Sequence, residues 1–418
     1  MIDKLVLRCD FLKQRFPAQN CFDFPTFKLH ELDIPLEVSL DADGEIMNVR
    51  HPWERIPSSF EGMAFKVFDS RYSGKNEAFF IEIKASPAKL MQGHNIFGSV
   101  DFCDCALRLI VLLCSKYPVL ASKLDFSSWS LVQIDATYAS RAKNDKEAKR
   151  FINALGKVSS GQIKSSTTDY DGTAYFGKKN SRLKKVKVYA KHPEVLASIK
   201  KNEKKKDVFE YSEQLLEFSK GMIRWELSLY HRYFKRSGIP CELSEIIEQG
   251  FFSPQILRSF WCNGLSQLFK ALEGQEMKIV DNNAVLEALR TQFSKVSPKT
   301  GKVSTTLADS VFRTYLSIRR DGWEATKSLM HIRNFNKHIK FLSECGLSRA
   351  ALQNMNGLDD GSEIVSFAEF MQVDFDAQQP DWYEPELPKY TREMFLNDDG
   401  KFDFAEGLKK LISNNLSS

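Results

Sequence analysis

Four segments of this chain alternate apolar and polar residues with strict period two, and in each the charge stays on one side. In residues 78–84, Phe79, Ile81 and Ile83 oppose Glu82 and Lys84; in 131–138, Val132, Ile134 and Ala136 oppose Gln133, Asp135 and Thr137. In 183–191, Val186, Val188 and Ala190 oppose Lys185, Lys187, Tyr189 and Lys191. In 222–230, Ile223, Trp225, Leu227 and Leu229 oppose Arg224, Glu226 and Ser228. Side chains of a pleated strand point alternately to its two faces, so each set lies on one face. A shared sheet would pack its apolar face on helices and leave a second face of carboxylates, lysines, an arginine and a tyrosine. A half-solvated face is common in antiparallel sheets, which makes antiparallel pairing the expectation. Three of the four strands place a carboxylate there, although acidic residues are depleted in strands, and this favours a functional face.

Residues 4–9, 62–68 and 173–177 read as further strands, and 100–117, 145–155 and 209–220 as helices between them. Beyond residue 238 the pattern turns to 3.6-residue spacing, with helices expected at 253–272, 283–293, 305–318 and 324–345. Residues 158–168, rich in Ser, Thr and Gly, read as a loop, and 200–207 as a solvated helix end or linker. The fold class is therefore α+β: an antiparallel-sheet domain over 1–238, a mainly helical domain over 239–355, and an acidic, proline-spotted, loosely packed tail over 356–418 with a short final helix at 404–412.

Charge separates along the chain. Residues 141–206 hold 19 Lys and Arg against 6 Asp and Glu, whereas 357–418 hold 5 against 14. A concentrated basic segment suits a polyanion, because neutralising phosphates releases counterions. The longest apolar stretch, around 105–114, is short and broken by Arg108, so no membrane span is expected. The N-terminus runs straight into a strand-like pattern without a signal-peptide layout, and the eight cysteines form no CxxC pair. Both point to a cytoplasmic, thiol-reduced protein.

On such a face, carboxylates with a histidine can hold Mg²⁺ or Mn²⁺, and a tyrosine flanked by lysines can serve as a phenolate nucleophile. Metal and lysine together would offset charge developing on a phosphodiester.

Residues 1–8 (Met-Ile-Asp-Lys-Leu-Val-Leu-Arg) and the block 81–98, from Ile81-Glu82-Ile83-Lys84 through Gly93-His94-Asn95 to Gly98, resemble the gene II replication proteins of filamentous bacteriophages. Ile134-Asp135-Ala136-Thr137-Tyr138, Val188-Tyr189-Ala190-Lys191-His192 and Gly221-Met222-Ile223-Arg224-Trp225-Glu226 continue the likeness over about the first 240 residues. The resemblance implies a rolling-circle initiator in the bacterial host cytoplasm. It would nick the viral strand of the double-stranded replicative form at the origin, leave a 3′-hydroxyl, and rejoin the displaced strand. It also implies a sheet similar to that of the HUH endonucleases and Rep proteins. Its partners would be phage double- and single-stranded DNA and the host helicase, polymerase and single-strand-binding protein, and a homo-oligomer on the origin is compatible with it. The seven histidines contain no His-x-His pair, the usual two-histidine metal motif.

Within this reading Tyr189 is the nucleophile, and Lys191 orients the scissile phosphate or steadies the phenolate. Glu82, His94 and Asp135 are the metal ligands, with Glu226 in reserve. Lys84, Lys164, Lys184, Lys185, Lys187 and Arg224 contact DNA. Tyr138 shares parity with Ile134 and Ala136 and reads as core. The alternatives are a non-catalytic origin-binding regulator and a metal-independent tyrosine recombinase; the latter needs paired arginines and a histidine around the tyrosine, an arrangement absent from the sequence.

Overall fold

The computed structural model describes the chain apart from residues 13–28, 57–61, 70–78, 161–162, 167–171, 179, 203–208, 274–276, 366 and 417–418. Ten strands make one antiparallel sheet: β1 Ile2–Asp10, β2 Glu54–Ile56, β3 Met63–Asp69, β4 Phe79–Ala85, β5 Ser130–Arg141, β6 Ser159–Ser160, β7 Ile163–Ser166, β8 Thr173–Phe176, β9 Lys184–Ala190 and β10 Met222–Tyr230. Their order is β2-β3-β4-β1-β5-β10-β9-β8-β7-β6. The four alternating segments are thus β4, β5, β9 and β10, and β1 joins them at the centre. Part of the expected loop at 158–168 pairs instead as β6 and β7, and Lys191 opens a helix, Lys191–Asn202, rather than ending a strand.

One sheet face is apolar. Leu5, Ile83, Ile134, Val188 and Leu227 pack there with Leu107, Phe151 and Leu265 in one buried cluster. These last three belong to the helices Phe102–Lys116, Asp145–Leu155 and Pro254–Leu272. Each helix starts at a side-chain cap, with Asp101, Asn144 and Ser253 accepting from the backbone N–H three residues on. Tyr138 is buried on this face against Trp261 and Phe375, as its parity requires.

A second, helical core spans Val280 to Ile364, built on Asn282–Phe293, Thr306–Asp321 and Ile332–Glu344. The single helix expected over 324–345 is two, Trp323–Leu329 and Ile332–Glu344, separated at Met330 and His331. The core boundaries also differ from residues 238 and 355. The Pro254–Leu272 helix belongs to the sheet's core, and so do Phe367, Phe370, Phe395, Phe404, Leu408 and Ile412. The acidic segment is therefore not a loose tail. Phe367, Phe370, Tyr390, Phe395, Phe404, Leu408 and Ile412 complete the sheet domain, and the last helix runs over Phe404–Leu416.

Part of this segment also straps the sheet. The Gln378 side-chain amide accepts from Ala139 N at 2.7 Å and donates to Ala139 O at 3.0 Å, pairing with β5 as a neighbouring strand would. Tyr383 donates to Gln92 at 3.0 Å, and Asp104 accepts from the backbone N–H groups of Lys389 and Tyr390.

Candidate active site on the polar sheet face

Register fixes what shares the other face. Lys185 lies opposite Ser228, Lys187 opposite Glu226 and Tyr189 opposite Arg224; Ser228 in turn lies opposite Asp135, and Asp135 opposite Lys4. Directly paired residues of antiparallel strands point to the same side, so Tyr189 and Asp135 share a face. A register shift between Ile2 and Lys4 adds to this set. Ile2 and Leu5 both enter the apolar core, so the irregularity turns Asp3 as well as Lys4 toward the polar face.

The centre is a chain of charged hydrogen bonds. Lys191, 1% exposed, donates to Asn95 Oδ1 at 2.7 Å and to Glu194 Oε2 at 2.6 Å. Asn95 Nδ2 donates to Asp3 Oδ1 at 2.7 Å, an amide orientation that both neighbours demand. Arg224, also buried, donates to Asn95 O and lies against Met1 Sδ at 2.7 Å. Burial, aided by Arg224, lowers Lys191 to about 8 despite the opposing pull of Glu194.

The helix after β9 supplies Lys191 and Glu194, and the turn after the Pro87–Gln92 helix supplies Asn95. That turn needs Gly93 at φ 81°, where a Cβ would collide with the Phe209 ring. Gly221, at φ 65°, admits β10 beside the Ala142 carbonyl. Its N–H and the His192 ring both bond the Asp145 carboxylate, at 2.9 and 2.5 Å.

Carboxylates crowd beside this chain. Asp135, 4% exposed, accepts from Gln133 Nε2 at 2.7 Å, and burial pushes it up to about 6. Glu226 is pushed up to about 8 by burial and by the Asp135 and Asp3 charges, with Lys187 at 3.9 Å only partly offsetting them. Tyr189 is 4% exposed, with the Lys187 ammonium 4.0 Å from its ring centroid. Burial holds its phenol well above the usual tyrosine value even though Arg224 pulls it down. Desolvation outweighs the neighbouring cations, so burial works against the lysine-stabilised phenolate read from the sequence.

The sequence-derived ligand set is divided. Glu82 sits opposite Arg8 and Asp135 opposite Lys4, which places them about 13 Å apart along β1 and on strands either side of it. His94 lies among Phe97, Phe209 and Tyr211, and its Nδ1 accepts from Ile96 N at 3.3 Å. Burial, then Lys191 and Arg224, lowers it to about 4, so it is a neutral ring in a cationic, aromatic pocket. Among the described residues no three of His, Cys, Asp and Glu already gather closely enough to hold a metal ion. The carboxylates whose charges bear on one another are Asp135 and Asp3, both acting on the reserve residue Glu226.

Of the DNA-contact set, Lys84, Lys185 and Lys187 lie on the polar face. Lys184 has the opposite parity and donates to Gly264 O at 3.1 Å, fastening the Pro254–Leu272 helix. Arg224 is interior to the site, and the side chain of Lys164 lies outside the described residues. Sequence reasoning missed Asp3, Asn95 and Glu194 as partners of Lys191. Asn95 follows His94 directly in the block quoted above, and that adjacency was the available signal.

Fold and site together define an α+β protein whose antiparallel sheet carries a tyrosine and several carboxylates on one face, with a buried lysine at the start of the helix that follows the tyrosine's strand. Residues 1–247 match the family model for the N-terminal region of the phage replication-associated protein of gene II, and 298–388 match that for its C-terminal region. The replication-associated protein of Enterobacteria phage f1 is 31% identical over 414 residues, covering 93% of this chain and 99% of that protein. The protein of the same name from Enterobacteria phage M13 gives the same figures. That of Salmonella phage IKe is 32% identical over 375 residues, covering 85% of this chain and 87% of its own. The chain belongs to this replication-associated protein family of filamentous phages. No solved structure matches it.

Proposed function

We propose that this chain initiates phage DNA replication by nicking one strand at the origin and later rejoining it, with Tyr189 as the nucleophile. The family carries the replication role. The observation that carries the chemistry is that Tyr189, next to last in β9, shares its face with the neighbouring Glu226 and Asp3, while Lys191 opens the next helix beside Asp3.

Tyr189 Oη forms a bond to phosphorus as the bond to the 3′ oxygen breaks, leaving a 5′-phosphotyrosyl ester and a 3′-hydroxyl. The phenol proton needs an acceptor. Glu226, at about 8, is matched to accept and return a proton near neutral pH. Lys191 offsets charge on the pentacoordinate phosphorus, held in place by Asn95 and Glu194. The ester conserves bond energy, so attack by a later 3′-hydroxyl rejoins the strand and frees the tyrosine. Asp135 and Asp3 are hard oxygen donors of the kind Mg²⁺ or Mn²⁺ takes, although among the described residues no three such groups already stand closely enough to hold the ion. Bound there, the ion would polarise the phosphate as a Lewis acid. Glu82 and His94 take no part in this revised set.

Lys185 and Lys187 give the face its charge for the DNA backbone. Host replication enzymes, self-association on the origin and action in the host cytoplasm belong to the same reading. The burial of Tyr189 favours one rival, an origin-binding regulator without catalysis. Supercoiled origin DNA with Mg²⁺ decides between them: Tyr189→Phe should bind as wild type does and produce no relaxed circle. Nicking by that variant would remove Tyr189 from the mechanism, and binding by the wild type without nicking would leave the regulator.

A further inference from the structure

The polar face continues past β1 to the strands at the far edge. Phe68 lies opposite Phe80, Lys66 opposite Glu82 and Ala64 opposite Lys84, while Arg8 lies opposite Glu82. By the same pairing rule these side chains share the face of Asp135 and Tyr189. The Phe68 and Phe80 rings stack at 4.8 Å between centroids with 16° between planes. The Arg8 guanidinium lies 3.6 Å over Phe80, Trp53 meets Phe68 edge-on at 6.1 Å, and the Lys84 ammonium sits 3.4 Å over the Trp53 ring.

This laminate does not belong to the hydrophobic core. The buried residues of β3 and β4 are Met63, Phe65, Val67, Ile81 and Ile83, on the other face, whereas Phe68 and Phe80 are only half-buried and Trp53 is 39% exposed. Aromatic rings on a sheet face normally gain their stability under a covering layer, yet here they are interleaved with cations. Arg55 joins Lys4, Lys66 and Lys84 around the patch, against Glu82 and an Asp10 paired with Arg8 at 3.3 Å. Among the described residues the cations around it outnumber the acids, and cation–π contacts at exposed sites are weak enough for a ligand to displace.

We propose that Trp53, Phe68 and Phe80 form a stacking platform for single-stranded DNA, whose phosphates Arg8, Lys66 and Lys84 hold. Flat rings accept unpaired bases of any sequence, which a duplex does not offer, and flanking cations track the backbone. The inference rests on the strand-nicking reading, since the platform and Tyr189 share one sheet face, with β1, β5 and β10 between β4 and β9. A strand released beside Tyr189 would cross onto the platform.

The test uses the full chain carrying Tyr189→Phe, in EDTA, so that binding is read without cleavage. Labelled oligo(dT) and a labelled origin duplex are titrated by fluorescence anisotropy against three proteins: the parent, Phe68→Ala/Phe80→Ala, and the volume-conserving Phe68→Leu/Phe80→Leu. The platform predicts that both double variants bind oligo(dT) roughly tenfold or more weakly, with duplex affinity unchanged. Trp53 fluorescence should be quenched by oligo(dT), and Trp53→Phe should remove that component. Unchanged oligo(dT) affinity in the Leu variant, or an equal loss for duplex and single strand, overturns the platform. Nicking of supercoiled DNA by the same variants with Tyr189 restored reports separately on the strand-nicking reading, so either idea can fail alone.

Discussion

Replacing Glu226 with glutamine should make the protein more stable above neutral pH while impairing its chemistry. Glu226 stands at about 8 in the folded chain against an ordinary 4.5. A carboxyl raised on folding binds its proton more tightly in the native state. Its ionisation therefore costs nothing below about pH 4.5, erodes stability as pH climbs to about 8, and adds no further cost beyond. Each pH unit in that window is worth about 1.4 kcal/mol, which makes the penalty about 3 kcal/mol at pH 7. Glutamine keeps the shape without the charge. Urea unfolding of both proteins at pH 4.5, 6, 7 and 8.5 should show Glu226→Gln gaining on the wild type at each step and levelling off after pH 8. A stability difference that stays flat with pH, or that favours the wild type at pH 8.5 without metal, would refute the crowded-carboxylate account.

Lys191→Met should abolish nicking and cost about 3 kcal/mol in urea unfolding, because Asn95 Oδ1 loses its buried donor and Glu194 its partner. Gly221→Ala should cost more than about 2 kcal/mol, since it meets both a left-handed φ and the Ala142 carbonyl; Gly250→Ala, at φ 58° with open space, should lose only about 1 in the same thermal melts. Replacing Lys185 and Lys187 with glutamine should reduce the slope of log K against log salt for origin DNA by about 2. Lys184→Gln should leave that slope alone and lower the unfolding midpoint, as expected of a lysine tied to Gly264 O.

The polar face was legible because period two survives in each strand separately. The same parity that kept Tyr138 in the core also set Lys184 apart from Lys185 and Lys187, so its true placement was written in the alternation. Strand order was not. Glu82 and Asp135 each lie on a polar face, but only the interposed β1 and its register hold them apart. Asp3 reaches the site through an irregularity in β1 pairing, which leaves no mark on hydrophobic spacing. His94 shows the limit of residue chemistry: an imidazole near carboxylates in sequence can be ringed by phenyl groups in space. The acidic segment misled because charge dominates its composition, while the few residues that decide its packing, Phe395, Phe404, Leu408 and Ile412, are dispersed among the acids.

That dispersal has a consequence in time. The Phe404–Leu416 helix packs against Phe102–Lys116 in the same core, yet close to 300 residues of translation separate the two, on the order of half a minute at bacterial elongation rates. Throughout that interval the early helix lacks one of its partners and the half-made sheet keeps part of its oily side open. A polypeptide whose Phe404–Leu416 helix is still unmade thus cannot complete the layer that backs the polar face. If that face cuts DNA as proposed, the first cut on a phage genome waits until that late helix has emerged and docked.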